Sequence, residues 1–272
     1  MNKVSSKDGT AIAYDRTGRG PAVVIVGGAM SYRSFPGFVK LADLLADDFT
    51  LINYDRRGRG DSGDTKPYAV EREVEDLEAV IGTAGGSAHV WGMSSGGALA
   101  LAAAAAGLAI EKLALWEPPF VADQGGRRPP ADHGVRLKEM IATGRRDDAV
   151  RFFLRNMGVP AVMVAVMRWM PFWSRFRAVA NTLPYDAAVM GDYSLPAERI
   201  ASVAVPTLVI GGEKSDERLR HAVRATADTL PNGRHRMLEG QNHNVSMEAL
   251  APVLAEYFKA SDGTRTGTPS AT

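Results

Sequence analysis

The sequence contains no cysteine. This absence excludes disulfide bonds, thiolate metal sites, iron–sulfur clusters and a cysteine nucleophile. An excess of charge of one sign is also lacking, because 32 Lys and Arg residues balance 31 Asp and Glu residues to a formal net charge of +1. Such a balance gives no sign of a nucleic-acid or anionic-membrane partner. We therefore expect the partner to be a small molecule.

Long apolar runs are missing as well. The most apolar stretch, residues 98–108, has about half the length that a membrane span needs. The first ten residues are polar and charged, unlike the apolar centre of a signal peptide, and a chain without cysteine needs no oxidising compartment. We expect a cytoplasmic protein, monomeric or homodimeric, without a membrane or nucleic-acid partner.

Short β-branched runs alternate with helical patterns along most of the chain. Strands are predicted at residues 11–14, 23–26, 49–54, 88–91, 113–116, 206–210 and 234–238. Helices are predicted at residues 38–45, 70–81, 96–107, 216–230 and 246–258. This alternation predicts an α/β fold with a mostly parallel, doubly wound sheet that has helices on both faces.

The alternation stops at residues 118–195, which contain helical stretches but no clear strand. We interpret residues 119–195 as a helical cap on a core made of residues 1–118 and 196–260. Residues 261–272 have little to bury and are predicted to be disordered. Open α/β sheets bind ligands at the carboxyl ends of their strands. The residues that directly follow each strand are therefore the candidates for function.

A G-x-S-x-G pattern centred on Ser94 follows one predicted strand and precedes a predicted helix. It places Ser94 on a sharp turn, with its hydroxyl above the sheet. Gly92 and Gly96 lack the side chains that would collide with the strand and the helix. The amino end of the helix favours negative charge beside Ser94. We predict that Ser94 is a nucleophile. The predicted cap is inserted after the strand that follows this helix.

Five histidines are candidates for the base that would activate Ser94. His89 and His235 lie in predicted strands, His221 in an arginine-rich helix and His133 at the polar start of the insertion. His243 follows the last predicted strand and precedes the final helix, so it lies at the carboxyl edge of the sheet. We predict that His243 is the general base.

Two regions offer an acid to orient the imidazole. Glu117 directly follows the predicted strand 113–116, and Glu213 or Asp216 follows the predicted strand 206–210. Asp216 also suits the cap position of the next helix, whereas two prolines after Glu117 restrict the backbone there. We predict Glu117 as the acid and keep Asp216 as the alternative.

An oxyanion hole is predicted where the strand 23–26 ends. The backbone N–H of Gly28 or Ala29 would bind the oxyanion together with that of Ser95. The sequence leaves the choice between Gly28 and Ala29 open. Ser95 is also a competing hydroxyl, but its position in the motif suits a backbone donor.

With these residues in place, residues 10–258 resemble the serine-nucleophile branch of the α/β-hydrolase superfamily. The segment DRRGRGDSG at residues 55–63 looks like a loop of this family that precedes the elbow. The chain departs from the usual pattern at Gly27, where most members have His, and in the position of the acid. The motif WGMSSG at residues 91–96 and the glutamate at position 117 are similar to the zearalenone lactonases. The resemblance implies a serine hydrolase without a cofactor.

The predicted cap is rich in methionine and aromatic residues. Such residues at helical spacing usually form a core, but a cap also faces the catalytic edge and lines an apolar pocket there. The predicted pocket residues are Met30, Met163, Trp169, Phe172, Trp173 and Tyr185. The arginines at positions 56, 57 and 59 are interpreted as part of a solvated or structural loop.

These residues predict hydrolysis of an ester or lactone of a moderately sized, largely apolar molecule through an acyl-enzyme. Hydrolysis of a carbon–carbon bond on the same triad and a non-catalytic receptor are the alternatives. Epoxide hydrolysis and dehalogenation are disfavoured, because those branches use an aspartate where this chain has Ser94. No histidine pair has the spacing of metal ligands, so no metal is expected.

Overall fold

The computed structural model describes residues 1–124 and 128–260, so the predicted disordered tail at residues 261–272 lies outside the described residues. The strands are β1 (Asn2–Ser5), β2 (Ala11–Gly18), β3 (Ala22–Val26), β4 (Thr50–Tyr54), β5 (Ala88–Met93), β6 (Ile110–Trp116), β7 (Thr207–Gly212) and β8 (Gly233–Leu238). The helices are α1 (Pro36–Leu45), α2 (Val70–Gly82), α3 (Ser95–Ala105), α4 (His133–Ala142), α5 (Arg146–Asn156), α6 (Ala161–Met167), α7 (Trp173–Ala178), α8 (Leu183–Met190), α9 (Ala197–Ala201), α10 (Glu217–Thr229) and α11 (Met247–Lys259).

The eight strands form one sheet in the order β1-β2-β4-β3-β5-β6-β7-β8. The pairs β1·β2 and β2·β4 are antiparallel, and all later pairs are parallel. This arrangement confirms the predicted fold class. The sequence did not predict β1, because its side chains are mostly exposed and give no apolar run.

Helices cover both faces of the sheet, as the buried strands require. Val24 and Val26 of β3 pack in a cluster with α2, α3 and α10. Val23 and Ile25 pack on the opposite face with α1 and α11. Because successive side chains of a strand alternate between faces, one continuous apolar run supplies both cores.

The helices between β6 and β7 have a third core of their own. It contains buried residues of α4, α5, α6, α7 and α8. Met30, from the loop after β3, also packs in this cluster. The loop predicted to hold the oxyanion therefore contacts the core of the inserted helices directly.

None of the helices within residues 1–124 and 128–260 is long and apolar enough to cross a bilayer.

His133 begins α4 and is buried in the insertion with 3% of its surface exposed. Its ring stacks on Phe152, and its Nδ1 lies 3.0 Å from the amide nitrogen of Asn156. Its Nε2 has no hydrogen-bond partner among the described residues. Burial, together with the nearby Arg136, lowers the pKa of His133 below its ordinary value. The folded protein therefore resists protonation of this ring.

We expect His133 to destabilise the fold in mild acid. Above a pH of about 6.5 the ring is neutral in both states and contributes nothing. Below that pH the unfolded chain binds a proton that the folded chain excludes, so the free energy of unfolding falls until the pH reaches the lower pKa of the folded state. His133→Phe keeps the stacking and removes the proton site.

The measurement is urea unfolding of both proteins at pH 7.5 and pH 5.5. The loss of stability between the two pH values should be smaller in His133→Phe than in wild type. His221→Phe, on the exposed surface of α10, should behave like wild type. An equal loss in wild type and His133→Phe would contradict the prediction.

Candidate active site

Ser94 connects β5 to α3 in an unusual backbone conformation. Its φ is 52° and its ψ is −121°, a left-handed region that a non-glycine residue adopts at an energetic cost. Its backbone N–H donates to the carbonyl of Trp116 at 2.8 Å, and only 8% of its surface is exposed. This is the strained strand-to-helix turn that the motif predicts around a nucleophile.

The glycines around Ser94 allow the chain to come very close to its neighbours. A Cβ atom added to Gly96 would lie 2.2 Å from the carbonyl oxygen of Val26, and one on Gly92 would lie 2.7 Å from the carbonyl oxygen of Gly96. Both obstacles are backbone atoms, which cannot turn away as a side chain would. The elbow therefore needs glycine at both positions.

We expect Gly96→Ala to destabilise the protein by about 3 kcal/mol, the upper end of the usual cost of overpacking. Gly134→Ala is the matched control, because a Cβ atom on Gly134 in α4 meets nothing within 4 Å. That change should be neutral or stabilise the helix by up to about 1 kcal/mol. Denaturant unfolding followed by tryptophan fluorescence measures both, and equal midpoints would contradict the argument.

Glu117 and His243 are hydrogen-bonded to each other. His243 lies in the loop between β8 and α11, and its Nδ1 is 2.8 Å from Glu117 Oε2. Glu117 follows β6 directly and is fully buried, and its Oε1 accepts the backbone N–H of Gly212 at 2.8 Å. The indole N–H of Trp116 donates to the carbonyl of His243 at 3.1 Å. Three neighbouring strands therefore hold the imidazole in one orientation.

Asp216, the alternative acid, has a different role in the structure. It caps α10, where its Oδ1 accepts the backbone N–H of Arg218 at 3.0 Å and the Arg218 Nε at 2.7 Å. The hydrogen bond from the Arg218 side chain lowers the pKa of Asp216. Within residues 1–124 and 128–260, no hydrogen bond joins Asp216 to His243. The structure brings Glu117, and not Asp216, to the imidazole.

The predicted oxyanion loop lies against the elbow. A Cβ atom on Gly28 would be 2.9 Å from the carbonyl oxygen of Met93 and 3.3 Å from Ser94 Cβ. The carbonyl oxygen of Gly28 accepts hydrogen bonds from Ser31 Oγ at 2.6 Å and Arg59 Nη1 at 2.6 Å. A carbonyl and the next N–H point in opposite directions in a trans peptide. These two bonds therefore orient the N–H of Ala29.

Ser94 Oγ makes no hydrogen bond to His243 among the described residues. Such bonds are often long in a free enzyme and tighten when substrate is bound. The elbow, the buried carboxylate and the imidazole nevertheless follow β5, β6 and β8, respectively, at one edge of the sheet; β5 and β6 are adjacent, and β7 separates β6 from β8. This edge can support nucleophilic attack, proton transfer and stabilisation of an oxyanion.

A family model described as the alpha/beta hydrolase family matches residues 22–256. The chain belongs to this family. A solved alpha/beta hydrolase from Sphaerobacter thermophilus is 54% identical, with a TM-score of 0.88 over 94% of this chain and 100% of the other. The resemblance inferred from the elbow and its flanking elements is confirmed.

More distant solved structures share the fold. An esterase from Exiguobacterium antarcticum is 18% identical, with a TM-score of 0.73 over 95% of this chain and 99% of the other. An enol-lactonase from Burkholderia xenovorans is 20% identical, with a TM-score of 0.67 over 95% of this chain and 100% of the other. At these identities the likeness concerns the fold alone.

The arginines of the loop after β4 are buried in this hydrolase. The interpretation of this loop as solvated is therefore wrong, and its interpretation as a structural loop is confirmed. Arg56 and Arg59 are each 2% exposed, and both bind Asp186 of α8. Burial raises the pKa of Asp186, but Arg59 and Arg56 outweigh this effect and hold it below its ordinary value. In the sequence, the three arginines close after a buried strand were the feature that could have indicated this network. Nothing in the sequence distinguished Asp186 as their partner.

The structure does not bring the predicted pocket residues together. Trp169 is 85% exposed and lines a cavity of about 690 Å³ formed by the insertion alone. Met163 lines a different cavity of about 330 Å³, together with Pro119 and Asp216. Met30 is buried in the core of the insertion. Helical spacing predicted an apolar stripe but not the direction in which it points.

The other predicted pocket residues are engaged with neighbours. Trp173 is buried in the core of the insertion, and Phe172 packs against the ring of Phe176. The Tyr185 hydroxyl donates to Asp64 at 2.9 Å, and its ring stacks on that of Tyr68.

Within residues 1–124 and 128–260, no three His, Asp or Glu side chains are placed to hold a metal ion together.

Proposed function

We propose that this hydrolase cleaves an ester or lactone through an acyl-enzyme on Ser94. The observation that carries the proposal is the 2.8 Å hydrogen bond that the buried Glu117 accepts from His243 Nδ1, at the sheet edge that also carries the strained Ser94. A carboxylate on one imidazole nitrogen leaves the other free to accept a proton. Nucleophile, base and acid then have the roles of a serine triad.

The reaction follows from these positions. Ser94 Oγ attacks the substrate carbonyl carbon while His243 Nε2 takes the hydroxyl proton. Backbone N–H groups of Ser95 and the oxyanion loop bind the negative charge that develops on the carbonyl oxygen. His243 then protonates the leaving alkoxide. Water then attacks the acyl-enzyme while His243 takes a proton from it. His243 returns this proton to Ser94 Oγ as the carboxylic acid leaves. In a lactone, the alcohol remains part of the same molecule.

The substrate is a largely apolar small molecule. The cavity of about 330 Å³ between the insertion and the core lies within the size range of small-molecule pockets. Its lining is mostly apolar and includes Pro119, Val159, Met163 and Leu219. Pro119, which lines the cavity, is two residues from Glu117 in the chain. An esterase and an enol-lactonase share this fold, so the fold is compatible with cleavage of an acyl–oxygen bond.

The test combines a fluorophosphonate probe with a substrate panel of p-nitrophenyl esters, aliphatic lactones and a vinylogous diketone. We expect wild type to be labelled at Ser94, located by mass spectrometry, and to hydrolyse esters or lactones. Ser94→Ala should do neither. Cleavage of the diketone alone would favour carbon–carbon hydrolysis. Folded wild type that is neither labelled nor active would overturn the proposal and favour a receptor.

A further inference from the structure

Asp186 of α8 lies between the two backbone segments that are predicted to bind the oxyanion. It is fully buried, although it belongs to the inserted helices and not to the sheet. We propose that Asp186 is a positioning residue of the active site, which holds the oxyanion donors in place through Ser95 and Arg59. The proposal rests on the serine-hydrolase function proposed above and concerns a residue that does not touch the reacting atoms.

The first contact is direct. Ser95 Oγ donates to Asp186 Oδ1 at 2.9 Å, and Ser95 has no exposed surface. Ser95 begins α3, and its backbone N–H is one of the predicted donors to the oxyanion. A hydrogen bond to a carboxylate is stronger than one between neutral groups. Asp186 therefore restrains the residue that presents this donor.

The second contact passes through Arg59. Its Nη2 donates to both oxygens of Asp186, at 2.8 and 2.7 Å, while its Nη1 donates to the carbonyl oxygen of Gly28 at 2.6 Å. The guanidinium is a rigid plane, so the carboxylate determines where Nη1 lies. The position of the Gly28 carbonyl in turn orients the N–H of Ala29, the second predicted donor.

The charges of this network are balanced inside the protein. Arg56 and Arg59 face Glu73 and Asp186, and all four side chains are at most 2% exposed. Without the charge of Asp186, two buried guanidinium groups would share the single carboxylate of Glu73. Arg59 would then retain only neutral partners, Thr182 and the loop after β3. A buried charge without a counter-charge is strongly unfavourable, so we expect Arg59 to shift and release Gly28.

Arg57, in the loop after β4, forms a second buried pair with Asp76 of α2 that serves as a control. Arg57 donates to both oxygens of Asp76 at 2.7 Å, and both side chains are at most 1% exposed. Arg57 also contacts Asp8 and the carbonyl of Arg72. None of the hydrogen bonds of Arg57 or Asp76 within the described part of the chain reaches Gly28 or Ser95. Asp76→Asn therefore measures the structural effect of removing a buried carboxylate beside an arginine of this loop, without a contact to the oxyanion donors.

The experiment compares Asp186→Asn with Asp76→Asn and wild type, using the best ester of the panel and the rate of fluorophosphonate labelling. We expect Asp186→Asn to lower kcat about 10- to 100-fold, less than the complete loss of one oxyanion donor. KM should change by no more than about threefold, because the donors act mainly in the transition state. Labelling should slow to a similar extent. Asp76→Asn should lower the melting temperature and leave kcat within about twofold of wild type.

If Asp186→Asn does not fold, Ser95→Ala replaces it. This change keeps all four charges and the backbone N–H of Ser95, and it removes the direct hydrogen bond from Ser95 Oγ to Asp186. We expect a several-fold lower kcat, with KM changed by no more than about threefold. Equal kcat values in Asp186→Asn and Asp76→Asn, or a wild-type kcat in Ser95→Ala, would overturn the positioning role. Wild type without labelling and activity would overturn the proposed function and this inference with it.

Discussion

Ser94→Ala is expected to lower kcat/KM for the best ester by about a million-fold, the effect of removing the nucleophile from a serine triad. His243→Ala should cause a similar loss, because a serine hydroxyl without a base is a weak nucleophile. The double variant Ser94→Ala with His243→Ala should be no less active than either single variant. Residues that act as one unit are not additive.

Initial rates with a p-nitrophenyl ester and mass-spectrometric detection of the fluorophosphonate adduct measure these effects. His221→Ala is the matched control, because His221 is a half-exposed histidine on α10 outside the site. It should keep the activity of wild type. Substantial activity in folded Ser94→Ala, or additive losses in the double variant, would show that Ser94 and His243 do not act together.

Glu117→Gln is expected to lower kcat about ten-thousand-fold while the protein remains folded. The amide preserves the shape of the side chain and can still accept the N–H of Gly212, so the buried position is not emptied. It lacks the negative charge that stabilises the imidazolium, and its NH2 group favours the wrong tautomer of His243. The loss should appear in kcat far more than in KM.

Asp216→Asn is the comparison that separates the two candidate acids. Asp216 is about half exposed and bound to Arg218, so we expect kcat within about twofold of wild type. Because Asp216 also lines the proposed substrate cavity, any effect of the change should appear in KM. Steady-state kinetics of both variants on one ester, with circular dichroism to verify folding, decides the question. A large loss in Asp216→Asn together with an active Glu117→Gln would reverse the assignment of the acid.

The predictions for Glu117 and Asp186 share one physical basis. In both cases a buried charge has partners from distant parts of the chain: Glu117 is 126 residues from His243, and Asp186 is 127 residues from Arg59. Burial makes these partners costly to lose. The variants therefore test catalytic positioning together with stability, which is why each is paired with a control of similar burial or chemistry.

Local sequence patterns were enough to predict most strands and helices of the core and the turn that carries Ser94. The β-branched run of β3 and the helical spacing of α2 are local patterns, and the structure agrees with both predictions within two residues. Gly92 could also be assigned a steric role, because its obstacle, the carbonyl oxygen of Gly96, lies in the same motif, whereas the obstacle at Gly96 is the carbonyl oxygen of Val26 in β3. The spacing of apolar residues and the identity of the residues in a turn reflect interactions between neighbours in the chain, so they can be read directly from the sequence.

The carboxylate that contacts His243 and the burial of the arginines follow from contacts between distant segments of the chain. Glu117 and Asp216 each follow a strand, and the sheet register places Glu117 beside Gly212 and the imidazole while Asp216 caps α10. The direction of the cap side chains was also beyond local patterns, since Trp169 is exposed and Trp173 is buried at the same predicted site. These outcomes depend on strand pairing and on packing between segments far apart in the chain, which leave no periodic signal in the sequence.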